Sequence, residues 1–303
     1  MRKILVTGAS GCIGRHVVPL LAAGGWQVHA VSRRDSLDAE GVTVHRANLL
    51  DPGDRSRLIE AVKPSHLLHL AWYIAPGRWA ASAENYRWVE ASLELVRLFR
   101  DSGGERVVSA GSCLEYDWQY GYCSEERTPL APHTFYGTCK SALGTLLQGY
   151  AGTTGFSNAW ARIFFLYGPY EHPDRLVASV IRSLLAGQPA RCSHGRQIRD
   201  YLYARDVADA LVHLLESDLQ GAVNVASGRP VTLKDIVLRI GEITGRSELI
   251  QLGAIPPAPT DMPLVVGDVT RLSSELQWFP QTSLDEGLAD TIAWWRTREP
   301  AAV

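Results

Sequence analysis

Residues 3–14 read KILVTGASGCIG, and this stretch decides the fold of the chain. Its apolar, β-branched start predicts a strand over Arg2–Thr7, and a helical pattern follows from Gly11. Gly8 permits the tight turn between them, Gly11 lets backbone amides approach a pyrophosphate, and Gly14 lets the helix pack close to the strand. A tight turn alone would explain glycines at this spacing equally well. Placed between the first strand and the first helix, however, they predict a phosphate-binding loop for a dinucleotide cofactor.

Outward from this loop, the first half of the chain alternates short β-branched runs with amphipathic helical patterns. The predicted strands are Arg2–Thr7, Trp26–Ser32, Val42–Ala47, Ser65–Ala71, Arg106–Ala110 and Phe156–Phe164. The predicted helices are Gly11–Ala23, Asp54–Val62, Trp79–Asp101 and Tyr136–Ala151. This alternation specifies parallel strands joined by right-handed crossovers, and so an α/β fold with a doubly wound parallel sheet. Pro19 lies late in the first helix and is expected to kink or shorten it.

The second half is less regular and predicts a smaller lobe packed at the carboxyl edge of the sheet. Its predicted elements are a helix near Pro173–Ala186, a polar loop over Gly187–Arg199, a strand over Val223–Ala226, and helices over Arg205–Glu216, Leu233–Thr244 and Leu284–Arg296. The four prolines of Ala254–Pro263 predict extended chain. We expect residues 1–165 with about 204–226 to form a dinucleotide-binding domain, and about 166–203 with 227–303 to form a substrate-binding lobe.

The composition excludes several classes of protein. The 303 residues are 46% hydrophobic and 20% charged, as in folded globular proteins. A formal charge of −2 gives no reason to expect a nucleic-acid or membrane partner, and no apolar run approaches the ~20 residues of a membrane span. Five cysteines without a C-x-x-C pattern argue against a disulfide framework or a zinc site. We therefore expect a cytoplasmic protein with reduced thiols and no metal.

The end of the second predicted strand indicates which dinucleotide binds. An acidic residue there would accept hydrogen bonds from the adenine ribose and repel a 2′-phosphate. The strand instead ends in Ser32, Arg33 and Arg34, and the first acid is Asp35. Two guanidinium groups can pair with a phosphate dianion, which favours NADP(H) over NAD(H). The alternative is a solvated basic turn in which Asp35 reaches the ribose and NAD(H) binds.

A third pattern predicts catalytic side chains. Residues 136–140 read YGTCK, and the four-residue spacing places Tyr136 and Lys140 on one face of a helix. A tyrosine pKa of ~10 makes a poor acid or base at neutral pH, but an adjacent ammonium stabilises the phenolate and lowers that pKa. Ser112 follows the fifth predicted strand, where its hydroxyl can hydrogen-bond a substrate oxygen. A Tyr/Lys pair on a helix is commonly plain surface, but this order of features after a glycine loop favours catalysis.

With these features in this order, the chain resembles the extended short-chain dehydrogenase/reductases of the nucleotide-sugar epimerase, dehydratase and reductase branch. The resemblance covers nearly all 303 residues. Thr7–Gly14 matches the cofactor loop, and His69–Trp72 resembles the H-[LV]-A-[AG] strand end near the nicotinamide. Ser112 stands four residues before Tyr116, as the family's catalytic Ser/Thr stands before the tyrosine of its V-Y-G turn. The Y-x-x-x-K pattern matches the catalytic pair.

The second half of the chain extends the resemblance. Arg162–Pro169 resembles R-x-F-N-x-Y-G-P, and Arg199 stands in a segment like R-D-[FY], so that it inherits a contact to the substrate diphosphate. The resemblance implies a Rossmann sheet, a nicotinamide dinucleotide cofactor and a nucleotide-sugar substrate. It also implies a homodimer formed through the helices Trp79–Asp101 and Tyr136–Ala151.

Together, the loop, the strand end and the family patterns assign roles residue by residue. The expected cofactor contacts are Gly8, Ser10, Gly11, Cys12, Ile13, Gly14, Arg33, Arg34, Asn48, Leu49, Leu70, Ala71, Trp72, Ala110, Tyr136, Lys140 and Phe164. The expected substrate contacts are Tyr73, Ser112, Cys113, Phe165 and Arg199. The expected catalytic residues are Ser112, Tyr136 and Lys140.

Three positions depart from the family pattern. Phe165 replaces the Asn of R-x-F-N-x-Y-G and removes an expected substrate contact. Asn48 replaces the first Asp of D-L-x-D and would take the adenine contact. Ala258 aligns where some epimerases carry a second diphosphate-binding Arg. The family's usual nucleotide pocket is therefore not matched residue for residue.

The residues after Ser112 indicate which reaction to expect. The family's 4,6-dehydratases resemble T-D-E-V-Y, but residues 112–116 read SCLEY, and Cys113 and Leu114 supply no carboxylic acid for elimination. The leading prediction is NADPH-dependent reduction of the 4-keto group of a nucleotide-linked 4-keto-6-deoxy sugar, with Tyr136 as the proton donor. A nucleotide-sugar 4-epimerase is the alternative. A non-catalytic cofactor-binding sensor is a third interpretation, which the presence of both members of the Tyr/Lys pair disfavours.

Three further features stay open at this stage. Trp72, Tyr73 and Trp79 form an aromatic group that either walls the sugar or nicotinamide or packs at a helix start. Cys113 either lines the pocket or packs as a small apolar side chain. The sequence around Glu115 does not decide whether its carboxylate reaches the active site.

Overall fold

The computed structural model describes residues 2–33, 40–257 and 262–298. Arg34, Asp35, Ala258 and part of the proline-rich segment lie outside the described residues. The strands are β1 Lys3–Thr7, β2 Gln27–Ser32, β3 Val42–Arg46, β4 His66–His69, β5 Arg106–Ser112, β6 Tyr122–Cys123, β7 Ser157–Ile163, β8 Phe165–Tyr167, β9 Ala190–Arg191, β10 Ile198–Tyr203, β11 Gly221–Val225, β12 Pro230–Thr232, β13 Ile250–Gln251 and β14 Leu264–Gly267. The α-helices are α1 Cys12–Ala23, α2 Pro52–Val62, α3 Glu84–Asp101, α4 Phe135–Thr154, α5 Leu176–Leu185, α6 Ala204–Glu216, α7 Leu233–Thr244 and α8 Leu284–Arg296.

Seven strands form one sheet in the order β11-β7-β5-β4-β1-β2-β3, and every neighbouring pair is parallel. The chain runs outward from β1 to β3, crosses back to β4, and then continues in the opposite direction through β5, β7 and β11. This reversal confirms the predicted α/β fold with a doubly wound parallel sheet. It also opens a crevice outside the carboxyl ends of β1 and β4, where sheets of this kind bind ligands.

The first strand shows how the sequence builds the two layers around this sheet. Ile4 and Val6 point to one face and are fully buried among residues of α1 and α6. Leu5 points to the other face and is fully buried among residues of α2, α3 and α4. A strand covered on both faces needs an uninterrupted apolar run, which is what the sequence supplies.

Five further strands form a second sheet, and one of them, β8, follows β7 directly along the chain. β7 ends at Ile163 and β8 begins at Phe165, where it pairs with β10. β10 also pairs with β12 and β14, and β14 pairs with β6. A buried cluster covers the junction and contains Cys113, Tyr116, Cys123, Phe164, Ala226 and Val265. How the chain divides into domains stays a prediction.

Local structure departs from the predicted boundaries in several places. α1 continues through Pro19 to Ala23, since Val17, Val18 and Leu21 are fully buried and their packing offsets the cost of ~3 kcal/mol for an interior proline. α3 begins at Glu84 rather than at the predicted Trp79. The residues before α3 form a turn that the side chain of Asn85 stabilises with hydrogen bonds to two backbone carbonyls.

The predicted loop Gly187–Arg199 contains β9 and the start of β10. β9 pairs with β13, about sixty residues further along the chain, so its strand form depends on a distant partner. No helix in the three described ranges is long and apolar enough to cross a bilayer.

Candidate active site

The glycine loop lies at the crevice between β1 and β4. Gly8 has φ = +68°, and a Cβ there would lie 2.8 Å from the Ala71 nitrogen, so the loop fits against the end of β4 only with glycine. Thr7 Oγ1 accepts hydrogen bonds from the backbone N–H groups of Leu70 and Ala71 at 3.1 and 3.2 Å. A Cβ on Gly14 would collide with the Gly8 carbonyl oxygen. Close backbone packing therefore explains both glycines.

The start of α1 fits the pyrophosphate of a dinucleotide. Gly11 caps the helix without a side-chain hydrogen bond, and the first N–H groups of a helix have no partner within it. These amides belong to Cys12, Ile13 and Gly14, three of the expected cofactor contacts. The Cys12 thiol donates to the Pro169 carbonyl at 3.6 Å, and burial raises its pKa to about 12, so it carries no charge that would repel a phosphate. Residues with these properties fit a nicotinamide dinucleotide.

A cavity lies at the carboxyl ends of β2 and β3, where the adenosine half of such a cofactor is expected. It measures about 500 Å³ and is lined by Arg33, Arg46, Ala47, Asn48 and Asp54. Arg46 lines this cavity because, in the register of β3 on β2, it pairs with Ser32, the last residue of β2. Sequence reasoning did not identify Arg46, although its place at the end of the third predicted strand was the available signal.

Asn48 and Leu49 already have structural roles beside this cavity. The Asn48 N–H donates to Asp54 at 2.8 Å, and Asn48 Oδ1 accepts from the Leu50 N–H at 3.2 Å. The Leu49 side chain is buried in the core, and its carbonyl oxygen accepts from the buried Arg55. The adenine contact expected of Asn48 stays a prediction.

The three expected catalytic residues lie together at the ends of β5 and α4. Ser112 ends β5, and Thr134 caps α4 by accepting a hydrogen bond from the Gly137 N–H at 3.0 Å. A Cβ on Gly137 would collide with the Leu114 carbonyl oxygen, so this glycine lets the first turn of α4 lie against the turn after β5. As a result the Ser112 hydroxyl lies beside the Tyr136 phenol, and Lys140 lies one turn further along the helix.

The electrostatics of Tyr136 differ from the prediction. Burial raises the pKa of Tyr136, while the Ser112 hydrogen bond and the charge of Arg175 lower it by less. The expected net decrease caused by Lys140 is therefore wrong for this structure, because the loss of hydration around the phenolate has the larger effect. Tyr136 is a neutral phenol at pH 7, which is the form that donates a proton.

Lys140 is almost completely buried. Its Nζ donates to the Ala110 carbonyl at 2.7 Å and lies 3.8 Å from the centroid of the Trp72 ring. Burial lowers the pKa of Lys140 to about 7, and the charge of Glu115 acts in the opposite direction. Two expected cofactor residues, Trp72 and Ala110, thus contact the lysine itself.

Glu115 lies beneath the site rather than in it. It is fully buried, and its carboxylate accepts hydrogen bonds from the Ser112 N–H at 2.7 Å, Trp160 Nε1 at 2.9 Å and Arg162 Nε at 2.9 Å. Arg162 also donates to the hydroxyl of Tyr116 at 3.0 Å. Glu115 therefore positions the backbone of Ser112, a role that its sequence context left open.

Aromatic rings enclose the phenol of Tyr136. The Trp79 ring lies 5.1 Å and the Trp72 ring 6.3 Å from the Tyr136 ring, and both are nearly perpendicular to it. The guanidinium of Arg175, at the start of α5, lies 5.8 Å from the Trp79 ring. Tyr73 is half-buried and packs against the core beneath the sheet. The two tryptophans cover part of the Tyr136 ring, and no local sequence signal pointed to Arg175.

Two of the five expected substrate contacts, Phe165 and Arg199, lie in a second aromatic group. The Phe165 ring is 5.9 Å from the Trp118 ring and 5.6 Å from the Tyr201 ring. The Arg199 guanidinium carbon lies 5.5 Å from the Phe165 ring and 5.7 Å from the Trp118 ring, and Nη1 donates to the Ile198 carbonyl at 2.8 Å. Arg199 is 3% exposed, because these rings cover its side chain. Its contact with a substrate diphosphate stays a prediction.

Cys113 and Phe164 are part of the buried junction cluster. Cys113 is 2% exposed, and burial raises the pKa of its thiol, which leaves it neutral. The structure therefore places its side chain in packing, one of the two roles that the sequence left open. The described residues contain no group of three or more His, Cys, Asp or Glu side chains that could hold a metal ion.

The NAD dependent epimerase/dehydratase family model matches residues 4–226 of this chain. The UDP-glucuronate 4-epimerase of Thermodesulfobacterium geofontis (strain OPF15) is 26% identical over 97% of this chain and 96% of its own length. The dTDP-4-dehydro-6-deoxy-D-allose reductase of Streptomyces bikiniensis is 29% identical over 97% of this chain and 96% of its own length. The crystal structure of UDP-glucose 4-epimerase from Thermus thermophilus in complex with NAD superimposes with a TM-score of 0.85 and 27% identity, covering 97% of this chain and 99% of that one. Because the family model covers most of its length, this chain belongs to the NAD dependent epimerase/dehydratase family.

Proposed function

We propose that this protein is a nucleotide-sugar 4-epimerase that uses bound NAD(H) and inverts the configuration at C4 of the sugar. The sequence alone favoured a 4-ketoreductase and kept the epimerase as the alternative. Relatives named as 4-epimerases match the chain almost end to end, and one of the corresponding structures holds NAD. These likenesses support the epimerase as the first candidate and NAD as its cofactor.

One arrangement in the site carries the proposal. The Ser112 hydroxyl lies beside the Tyr136 phenol, Lys140 lies one helical turn away, and neither Cys113 nor Leu114 can act as a carboxylic acid. Moving a hydride at C4 needs one group that exchanges a proton with O4, which Tyr136 can supply. Elimination of water from the sugar would need a further acid and base. The arrangement therefore favours hydride transfer at C4 without dehydration.

Each group of the site would have its own part in hydride transfer at C4. Bound NAD supplies the capacity to accept a hydride from C4 and to return it, with the loop of Gly8, Gly11 and Gly14 holding the pyrophosphate. Tyr136 takes the O4 proton as a phenolate when the alcohol becomes a ketone, and the phenol so formed gives the proton back when the alcohol re-forms. The burial that raises the pKa of Tyr136 favours the phenol over the phenolate, so the first transfer is the one that depends on a neighbouring positive charge. Lys140, when protonated, stabilises the phenolate that exists before this proton is taken and after it is returned, and the Ser112 hydroxyl orients O4. For inversion, the sugar must present its other face before the hydride returns.

A second candidate is an NADPH-dependent 4-ketoreductase of nucleotide-linked 4-keto sugars. Arg33 and Arg46 both line the cavity at the end of β2 and β3, where two guanidinium groups would suit a 2′-phosphate. Asp54 lines the same cavity and opposes that charge. The reductase from Streptomyces bikiniensis gives this candidate further support.

Product analysis distinguishes the two candidates. The protein is incubated with UDP-glucose, UDP-glucuronic acid and a panel of UDP- and dTDP-linked 4-keto-6-deoxy sugars, with and without NADPH or NADH. We expect a 4-epimer to form from one of the first two sugars without net consumption of cofactor. Consumption of NADPH with a 4-keto sugar, and no epimer, would instead establish the reductase.

Removal of the Tyr136 hydroxyl tests the catalytic assignment. We expect Tyr136→Phe to reduce kcat by at least ~10²-fold, which is the range of general acid–base catalysis, while the fold is kept. Tyr150→Phe is a matched control, because Tyr150 lies on the same helix and packs on Phe156 away from the site. Near-full activity of Tyr136→Phe would overturn the proposed mechanism.

A further inference from the structure

The ammonium group of Lys140 lies among aromatic rings. Nζ is 3.8 Å from the centroid of the Trp72 ring and 5.9 Å from the centroids of both the Tyr136 and Trp160 rings. It donates one hydrogen bond at 2.7 Å, to the Ala110 carbonyl. The face of the Trp72 ring therefore covers one side of the ammonium, at a distance typical of a cation–π contact.

Few charged groups face this ammonium from the elements packed around it. Glu115, from the turn after β5, favours its protonation, but the Glu115 oxygens already accept hydrogen bonds from three other residues. His69, from β4, is neutral because burial and the charge of Lys140 lower its pKa to about 3. Tyr136, from α4, is a neutral phenol because burial raises its pKa. Of the three rings around the ammonium, that of Trp72 lies nearest to it and offers it an electron-rich face.

The orientation of the Trp72 ring is fixed from behind. Its Nε1–H donates to Asn85 Oδ1 at 2.8 Å. Asn85 is fully buried, and its Nδ2 donates to the carbonyls of Trp79 at 2.7 Å and Ser82 at 2.9 Å. The amide of Asn85 cannot rotate without losing these bonds, so the indole face stays directed at Lys140.

We propose that Trp72 is a positioning residue for Lys140. The indole face of Trp72 holds the Lys140 ammonium beside Tyr136 and favours its charged form. The proposal rests on the proposed function for the role of Tyr136, and it gives Trp72 a role beyond the cofactor contact expected from sequence. A charged Lys140 stabilises the Tyr136 phenolate, so Trp72 acts on proton transfer through Lys140 without touching the reacting sugar.

Two substitutions separate the ring face from simple packing. Trp72→Phe keeps an aromatic face over Lys140 and loses the hydrogen bond to Asn85. Trp72→Leu fills the space with apolar atoms that exclude water but offer no such face. If Trp72→Leu does not fold, Trp72→Met removes the ring with a more adaptable side chain.

Titration of the lysine itself is the direct test. The chain contains only four lysines, Lys3, Lys63, Lys140 and Lys234, so protein labelled with ¹³C at lysine Cε gives four resonances, and Lys140→Arg assigns the buried one. We expect the Lys140 resonance to titrate well below the ordinary lysine value in the wild type, and at nearly the same pH in Trp72→Phe. In Trp72→Leu the midpoint should fall by about one pH unit, which is the scale of a desolvated cation–π contact.

Kinetics provide the second readout. At a pH at least one unit above the Lys140 midpoint, Trp72→Leu should lower kcat about tenfold, because a fall of one pH unit in the midpoint there reduces the protonated fraction of Lys140 about tenfold. KM should be nearly unchanged. An unchanged Lys140 midpoint in Trp72→Leu, or an equally large shift in Trp72→Phe, would overturn the proposal. The resonance titration needs no substrate, so it decides the role of Trp72 even if the product assay refutes the epimerase.

Discussion

At the scale of single residues, the burial of Lys140 predicts that stability depends on pH. Burial lowers its pKa to about 7, well below the ordinary value of ~10.4. Below pH 7 both states hold the proton, and the folded state carries the full cost of a buried ammonium. Between pH 7 and ~10.4 the unfolded chain binds more protons than the folded one, so stability rises with pH. Lys140 is therefore a source of instability at low pH.

Lys140→Met removes this cost and tests it. We expect the variant to be inactive but to have a higher free energy of unfolding than the wild type, with a larger gain at pH 6 than at pH 9. Urea unfolding at both pH values measures the difference. Lys234→Met is the control, since Lys234 is exposed and its removal should give no such pH-dependent gain. Equal gains at both pH values for Lys140→Met would contradict a lowered pKa, and a larger gain at pH 9 would reverse its sign.

The buried ion pair beneath the site makes a second prediction at this scale. Glu115→Gln leaves the Arg162 guanidinium without a counter-charge, and we expect it to destabilise the fold by about 3–5 kcal/mol. Glu94→Gln is the matched control, because the pair of Glu94 with Arg97 is exposed and such pairs contribute about 0–1 kcal/mol. Denaturant unfolding compares the two. Similar losses for both variants would show that Glu115 does not support the site as described.

At the scale of elements, the contact between α4 and the turn after β5 is decisive. Gly137→Ala introduces a Cβ that collides with the Leu114 carbonyl, so α4 must move away and separate Tyr136 from Ser112. We expect kcat/KM to fall at least ~10²-fold, as for other small displacements of catalytic groups.

Gly149→Ala provides the control within the same helix. A Cβ at Gly149 meets no neighbouring atom within 4 Å, so alanine should stabilise α4 by up to ~1 kcal/mol and leave activity unchanged. Activity assays and thermal unfolding of both variants make the comparison. Full activity in Gly137→Ala would refute the claim that this contact builds the site.

The same elements show what sequence can and cannot predict. The strand–loop–helix around Gly8 and the Y-x-x-x-K helix were predictable, because each depends on local spacing within one segment. The start of α3 was misplaced, since the hydrogen bonds of Asn85 that hold the preceding turn depend on tertiary packing. Strand β9 was missed because it forms only against β13. Non-local partners therefore account for these errors.

Among the site residues, too, local sequence predicted some placements, and others required the tertiary structure. Ser112 and Tyr136 were expected to lie together, and they do. The end of β5, which carries Ser112, and the start of α4, which carries Tyr136, lie at the same edge of the sheet. The position of Arg46 beside Arg33 required the register of β3 on β2. The net increase in the pKa of Tyr136 required its degree of burial, which spacing does not encode.

At the scale of the whole molecule, cofactor choice follows from the balance of charge at the adenosine cavity. Arg33 and Arg46 favour an added phosphate, whereas Asp54 opposes it. For an epimerase, we expect saturating NAD to raise the melting temperature by more than NADP does, since binding to the folded state stabilises it. Nicotinamide mononucleotide, which lacks the adenosine half, is the control and should give a smaller rise than either. A larger rise with NADP would favour the reductase instead.

The path of the hydride tests the central claim most directly. The protein is incubated with UDP-glucose or UDP-glucuronic acid that carries deuterium at C4, and the product is examined by NMR and mass spectrometry. If C4 is oxidised and reduced again on one bound cofactor, the 4-epimer forms and keeps its deuterium. Loss of deuterium to solvent in the epimer, or no epimer together with NADPH-dependent reduction of a 4-keto sugar, would contradict the assignment of this protein as a 4-epimerase.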